Sequence, residues 1–207
     1  MTQPLHAREP AALLALVTAA LIWSAVRPHD YLTWLLEVAP VLIGVPILLA
    51  TRTRFPLSML AYRLVGLHAL ILIVGGHFTY ALVPAGLWLQ EALDLARNHY
   101  DRLGHLAQGF VPAILAREIL LRATPLVRGR WLAFLVVSVC MAISAVYELI
   151  EWLAALVSAE AAASFLGTQG DNWDTQWDMF LALCGALAAL ALARVHDRSM
   201  RAAGVFR

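Results

Sequence analysis

Six long apolar runs, at about 10–26, 31–50, 56–76, 103–122, 131–157 and 176–195, constrain this chain more than any other feature of its sequence. At about 1.5 Å of helix per residue, each can cross roughly 30 Å of hydrocarbon, the first being the shortest. Only 14% of residues are charged and mean hydropathy is +0.73, whereas soluble domains carry roughly 25% charge. The 207 residues therefore read as one integral membrane domain, 1–207. Backbone polar groups in lipid must be satisfied within the segment, so runs of this kind are helices. The expected fold class is all-α, a polytopic bundle of six transmembrane helices. Pro40 and Pro46 predict a kink in the second span. The first run follows Arg8 as a signal peptide would, but further spans follow directly, so it reads as a retained helix.

Arginine distribution sets the expected orientation. All 15 basic residues are Arg. Arg8, Arg52, Arg54, Arg122, Arg128, Arg130, Arg194, Arg198, Arg201 and Arg207 lie in the N-terminus, the second and fourth loops and the C-terminus, while the other loops hold Arg27, Arg97 and Arg102. Positive charge stays on the cytoplasmic side, so both termini are expected there and the loops after spans one, three and five outside. Arg63 is expected to snorkel toward the inner face, and the Arg-rich tail from Arg194 reads as a solvated end. A net charge of +1 excludes a global field that would draw nucleic acid. Cys140 and Cys184 fall inside apolar runs and read as small core residues rather than a disulfide. In the outward loop after span three, Pro84 to Asn98 reads as an amphipathic helix lying in the interface.

Polar residues inside such a chain need a reason. The stretch Arg97-Asn-His-Tyr-Asp-Arg-Leu-Gly-His105 opens span four, and Asp101 and His105 share a helix face at i,i+4 spacing. Glu148 and Glu151 lie late in span five, near the outer boundary. Asp171, Asp174 and Asp178 open span six, with Asp174 expected as an N-cap and Asp178 one turn below. Three spans thus bring Asp101/His105, Glu148/Glu151 and Asp174/Asp178 to one outer-leaflet depth. Carboxylates at that depth are protonated, paired with Arg or bound to a cation.

Three readings follow. One is a divalent metal site for zinc, manganese or iron, with ligands from facing helices and a metal able to activate water. The second is metal-free acid/base or proton-relay chemistry. The third is a polar network in which Arg97 or Arg102 neutralises the acids and locks the helices together. His77 is placed where it could join the cluster; Glu37 could reach it too, or could instead serve backbone groups freed by a kink at Pro40. His68 reads as a hydrogen-bonded core residue, and Glu118 with Arg122 as a structural i,i+4 ion pair. The Trp and Tyr residues at span ends read as an interfacial belt, with none assigned to a ligand.

The elements 97–105, Tyr147-Glu148-Leu-Ile-Glu151-Trp152 and Gly170-Asp-Asn-Trp-Asp-Thr-Gln-Trp-Asp178-Met179 together resemble the YjdF-like bacterial inner-membrane proteins, from about Arg54 to Arg194. The resemblance implies a multi-pass inner-membrane (plasma-membrane) protein and no particular reaction. More distantly, Asp101, His105, Glu148, Asp178 and Gly185 fill places that match VanZ-like membrane proteins. Arg102 stands where that pattern has Lys, and Ala182 where it has Asn. This likeness implies that the polar positions act as one unit.

The function expected is an inner-membrane protein with an outward-facing Asp/Glu/His pocket. As an enzyme it would be a metal-dependent hydrolase or transferase acting on an amphiphilic or lipid-linked substrate. Asp101, His105, Glu148 and Asp178 would hold the metal, Glu151 or Asp174 would serve as general base, and Arg97 or Arg102 would meet an anionic group. The alternatives are a small-solute or proton-coupled transporter, or a structural or accessory protein whose polar cluster only sets helix packing. The inner halves of spans four to six hold few ionisable groups, which argues against conduction.

Overall fold

The computed structural model describes residues 5–157 and 171–205, with side chains from residue 8. Gly170 and Arg207, both used in the sequence reading, lie outside the described residues. Those residues form α1 (Leu5–Ser24), α2 (Tyr31–Thr51), α3 (Met59–Phe78), a 3-10 turn (Tyr80–Leu82), α4 (Pro84–Ala92), α5 (Tyr100–Ala123), α6 (Arg130–Val157), α7 (Asp174–Ala191) and α8 (Ala193–Ala202). No strand occurs among them. Three helices, α2, α3 and α6, are each long and apolar enough to cross a membrane, and α7 with α8 forms a fourth candidate bent by 60°. Most of the surface of α2 and α6 is exposed and apolar, as expected of helices that face lipid. α5 carries Asp101, Arg102, Arg117, Glu118 and Arg122, too many charges for a lipid-facing helix. It is instead wrapped by α3, α6 and α7.

Buried stripes follow helical periodicity. On α6 they are Leu132, Val136, Cys140, Ser144 and Glu148, four residues apart and increasingly polar toward one end. On α7 they are Asp174, Asp178, Ala182, Gly185, Ala186 and Ala189. α3 is the hub: Ala69, Leu72 and Ile73 pack with Val17 of α1 and Val38 and Val41 of α2. Its other end joins a second core with Ala113, Ile114, Val136, Cys140 and Ala186. Cys140 and Cys184 are free thiols.

The closest approach is between α5 and α7. A Cβ on Gly109 would collide with the carbonyl oxygen of Ala182, and one on Gly185 with that of Leu106. Small residues at this crossing let the two backbones touch, as they do in membrane helix pairs generally.

Several local expectations are corrected. The helix expected over 84–98 stops at Ala92 because Asp94 adopts φ 49°. That left-handed residue lets Leu95 N–H bond back to Gln90 O at 2.9 Å, a C-terminal capping arrangement. Asp174 is not the N-cap of α7; Trp173 occupies that place and Asp171 accepts its N–H at 3.0 Å. The Arg-rich tail is not a free solvated end. α8 turns back on the bundle with His196, Asp197 and Met200 buried. Its His196 Nε2 lies 3.0 Å from Glu118 Oε2, and Arg117 donates to Asp197 Oδ1 at 2.7 Å and to His196 Nδ1 at 3.2 Å. Arg122 donates to Glu118 at 2.7 Å, the expected i,i+4 pair, within this larger network. Arg63 is held in a two-pronged pair with Glu9, its Nη2 3.0 Å from Oε2.

Candidate functional site

At the end of the bundle opposite the Glu118–His196 network, α5, α6 and α7 converge on His105. Its Nδ1 lies 3.0 Å from Gln108 Oε1, so with the ring N–H on Nδ1 the carboxamide oxygen accepts it. Nε2 faces Asp101 Oδ1 at 3.4 Å and Asp178 Oδ2 at 3.7 Å, where it donates if protonated and can share a cation with them if not. Glu148 Oε1 stands 3.9 Å from Nδ1. Glu151 completes a second cluster: one ligand atom from each of His105, Glu148 and Glu151 lies within 4.8 Å of the others, as for Asp101, His105 and Asp178. His105, Glu148 and Asp178 are buried. Asp178 Oδ1 and Glu148 Oε1 have no hydrogen-bond partner among the described residues. Placing these oxygens away from water without partners costs free energy unless something else occupies the site.

The α5–α7 crossing explains the geometry. Gly109 lies one turn beyond His105, and Ala182 one turn beyond Asp178. Contact of those backbones brings the preceding turns of the two helices together.

Nearer the loops sits a separate layer of ion pairs. Arg97, buried, donates to Asp174 Oδ1 at 2.5 Å and reaches Asp171 at 3.4 Å and Asp101 at 3.7 Å. Arg102 pairs with Asp171 at 2.9 Å and stacks over Trp177 at 5.3 Å. In that loop the Trp173 N–H, with both guanidinium groups, holds the Asp171 carboxyl below the usual range. Asn98, fully buried, anchors the approach: it donates to Ala81 O at 3.0 Å and Val83 O at 3.1 Å and accepts the Tyr100 N–H.

The four proposed metal ligands and Glu151 are thus brought together. The other expected site residues, Arg97, Arg102 and Asp174, are engaged with one another or with Asp171 one layer further out. His77 does not join: its Nδ1 bonds Ser24 O at 2.9 Å and its ring stacks on Trp23 at 4.4 Å. Glu37, from α2, does. Tyr147 donates to Leu36 O at 3.1 Å and lies 3.5 Å from Glu37 Oε2. Tyr80 also bonds the Glu37 carboxyl, its ring filling the space that Gly75 and Gly104 leave open. Sequence reasoning missed Gln108 and Tyr80, and it quoted Tyr147 beside Glu148 without giving it a role. Gln108, three residues after His105, and Tyr147, next to Glu148, carry a readable signal in their spacing; Tyr80, in the loop after α3, carries none.

His68 is a further correction: it is not hydrogen-bonded through Nε2, which is buried without a partner among the described residues. It lines a cavity of about 670 Å³ between α2, α3, α5 and α6 whose far end touches Glu37, Tyr80, Asp101, His105, Tyr147 and Glu151.

The comparisons with known proteins agree with a membrane location. The chain is 58% identical over 191 residues to the inner membrane protein YjdF of Escherichia coli (strain K12), covering 91% of both chains. No solved structure matches. The family model for the predicted membrane proteins DUF2238 matches residues 10–198. The chain therefore belongs to that family of membrane proteins, DUF2238, and with its YjdF relative is an inner-membrane protein of multi-pass helical build.

Proposed function

We propose that the His105 end of the bundle is a divalent-metal site serving hydrolysis or group transfer on an amphiphilic or lipid-linked substrate. It would face outward on a chain that crosses the membrane six times, through α1, α2, α3, α5, α6 and α7, with both termini cytoplasmic. One observation carries the metal reading. His105 Nε2 is turned toward two carboxylates while Gln108 occupies Nδ1, and buried oxygens of Asp178 and Glu148 lack partners. A metal-bound histidine has this arrangement, its second nitrogen held by an outer acceptor. Carboxylate oxygen with imidazole nitrogen suits zinc, manganese or iron.

Charge balance supports the same reading. Asp101, Glu148, Glu151 and Asp178 surround one imidazole, with Glu37 beside them on the same cavity, while Arg97 and Arg102 pair with Asp171 and Asp174 and, of the two, Arg97 also reaches Asp101, at 3.7 Å. Carboxylates this close in a low-dielectric setting require protons or a cation.

In this scheme Asp101, His105 and Asp178 hold the ion, with Glu148 as fourth ligand. The ion would polarise a substrate oxygen or activate water. Glu151, close to His105 and Glu148, would take the proton from that water. Asp174, bonded to Arg97, positions that guanidinium rather than acting as base, and Arg97 and Arg102 form the rim that an anionic headgroup would approach.

Metal analysis of purified protein tests the proposal. The expected result is about one divalent ion per chain, lost in both His105→Ala and Asp178→Ala and retained in His77→Ala. Folded wild-type protein that takes up no zinc, manganese or iron, even after incubation with each, would overturn it.

A further inference from the structure

The cavity that ends at His105 is a groove running along the bundle. Its floor is α3 and α5, from Asp101 to Ala123 on the latter; its walls are α2 and α6. Those α5 residues cover about 33 Å at 1.5 Å per residue, comparable to the roughly 30 Å hydrocarbon core of a bilayer. A volume of about 670 Å³ drawn out over that length makes the space elongated rather than compact. Below its polar end the lining is almost wholly aliphatic, with Val41, Leu48, Val111, Leu115 and Ile143 among it.

Two features say what fills it. First, its walls are helices whose outer faces are exposed and apolar. α2 packs along α3, and α6 along α5 and α7, with Tyr147 bonded across to Leu36 at the polar end. The groove therefore meets the bilayer between α2 and α6, where the neighbouring molecule is lipid. Second, the polarity is arranged as an amphiphile needs: carboxylates, His105 and two tyrosines at one end, and the unpartnered Nε2 of His68 set into the aliphatic part.

We infer that the groove seats one hydrocarbon chain of a membrane lipid, entering sideways between α2 and α6, with the lipid's headgroup at His105. This assigns a substrate class and rests on the metal-site reading for what happens to the headgroup. Chain binding itself needs no metal.

Gly44 supplies the test. It lines the groove, and nothing lies within 4 Å of where its Cβ would stand, so a side chain started there enters open space and Gly44→Trp is the variant directed at the slot. The probe is a phosphatidylethanolamine with a diazirine in one acyl chain, diluted into unlabelled phospholipid vesicles holding the full-length protein. Labelled peptides are mapped after illumination. The expected result is enrichment on groove residues of α2, α5 and α6 over the outward faces of α2 and α6, reduced at least fivefold by Gly44→Trp. Leu32→Trp, on an exposed position, should leave it unchanged. Labelling spread over outward faces, or indifferent to Gly44→Trp in protein that still melts as wild type, would overturn the inference. His105→Ala separates the two readings: groove labelling that survives in metal-free protein keeps the lipid seat whatever the metal assay finds.

Discussion

His105 owes its role to what sits on its far nitrogen. An imidazole buried among acids could serve as a cation balancing them, or as a ligand sharing an ion with them. Gln108 Oε1 at 3.0 Å from Nδ1 orients the ring so that Nε2 faces Asp101 and Asp178, the placement that the metal proposal uses. Gln108→Leu removes that acceptor at nearly constant volume and leaves the carboxylates in place. Outer partners of this kind typically contribute 10–100-fold to metal affinity, so the dissociation constant is expected to rise by about that factor in a competition titration with a chelating dye. An unchanged constant would mean that Gln108 only packs. At the opposite end, His196 has both nitrogens engaged, by Arg117 and Glu118. That histidine is a structural rivet.

Helix pairing turns separate polar residues into a site, and the α5–α7 crossing is the pair that matters most. On an isolated helix Gly→Ala is stabilising by about 1 kcal/mol. At Gly109 the added methyl would meet the Ala182 carbonyl, so the helices must part. Gly109→Ala is therefore expected to destabilise the protein by about 1–3 kcal/mol, as overpacking does, and to weaken metal binding as Asp178 recedes from His105. Gly44→Ala, with open space at its Cβ, should have the opposite sign and raise the melting temperature. Melting curves of both variants in the same detergent check the pair; equal shifts would refute the contact. α8 shows the same rule from the other side. Its sequence looks like a charged tail, yet Glu118, buried in α5, takes hydrogen bonds from Ser58 N–H, Arg122 and His196, and so holds α8 to the bundle.

For the whole molecule, the six crossings proposed above would carry α5 across the bilayer although it is not apolar enough to pass as a lone span. A helix wrapped by three others needs little lipid-facing surface, so hydropathy understates it. If the orientation is right, single cysteines at Arg54 and Arg128 react with a membrane-impermeant maleimide only after inner-membrane vesicles are inverted, and one at Trp88 only before. These are tested in a Cys140→Ala/Cys184→Ala background; the reverse pattern would turn the site to the cytoplasm. Much of this arrangement is legible from residue order. Run lengths define the helices, arginines set the expected orientation, and together they place His105, Glu148 and Asp178 at one depth. Periodicity also names the face that each residue occupies on its own helix. It does not say which helix stands opposite. That neighbour is chosen by how closely backbones can approach, at Gly109 and Gly185, and by which side chain fills a gap, as Tyr80 does between Gly75 and Gly104. Hence the entry of Glu37 from α2, the pairing of Arg97 with Asp174, the docking of α8 and the groove beside His105 were all decided by tertiary packing, because each depends on the rotation of one helix relative to another and not on depth.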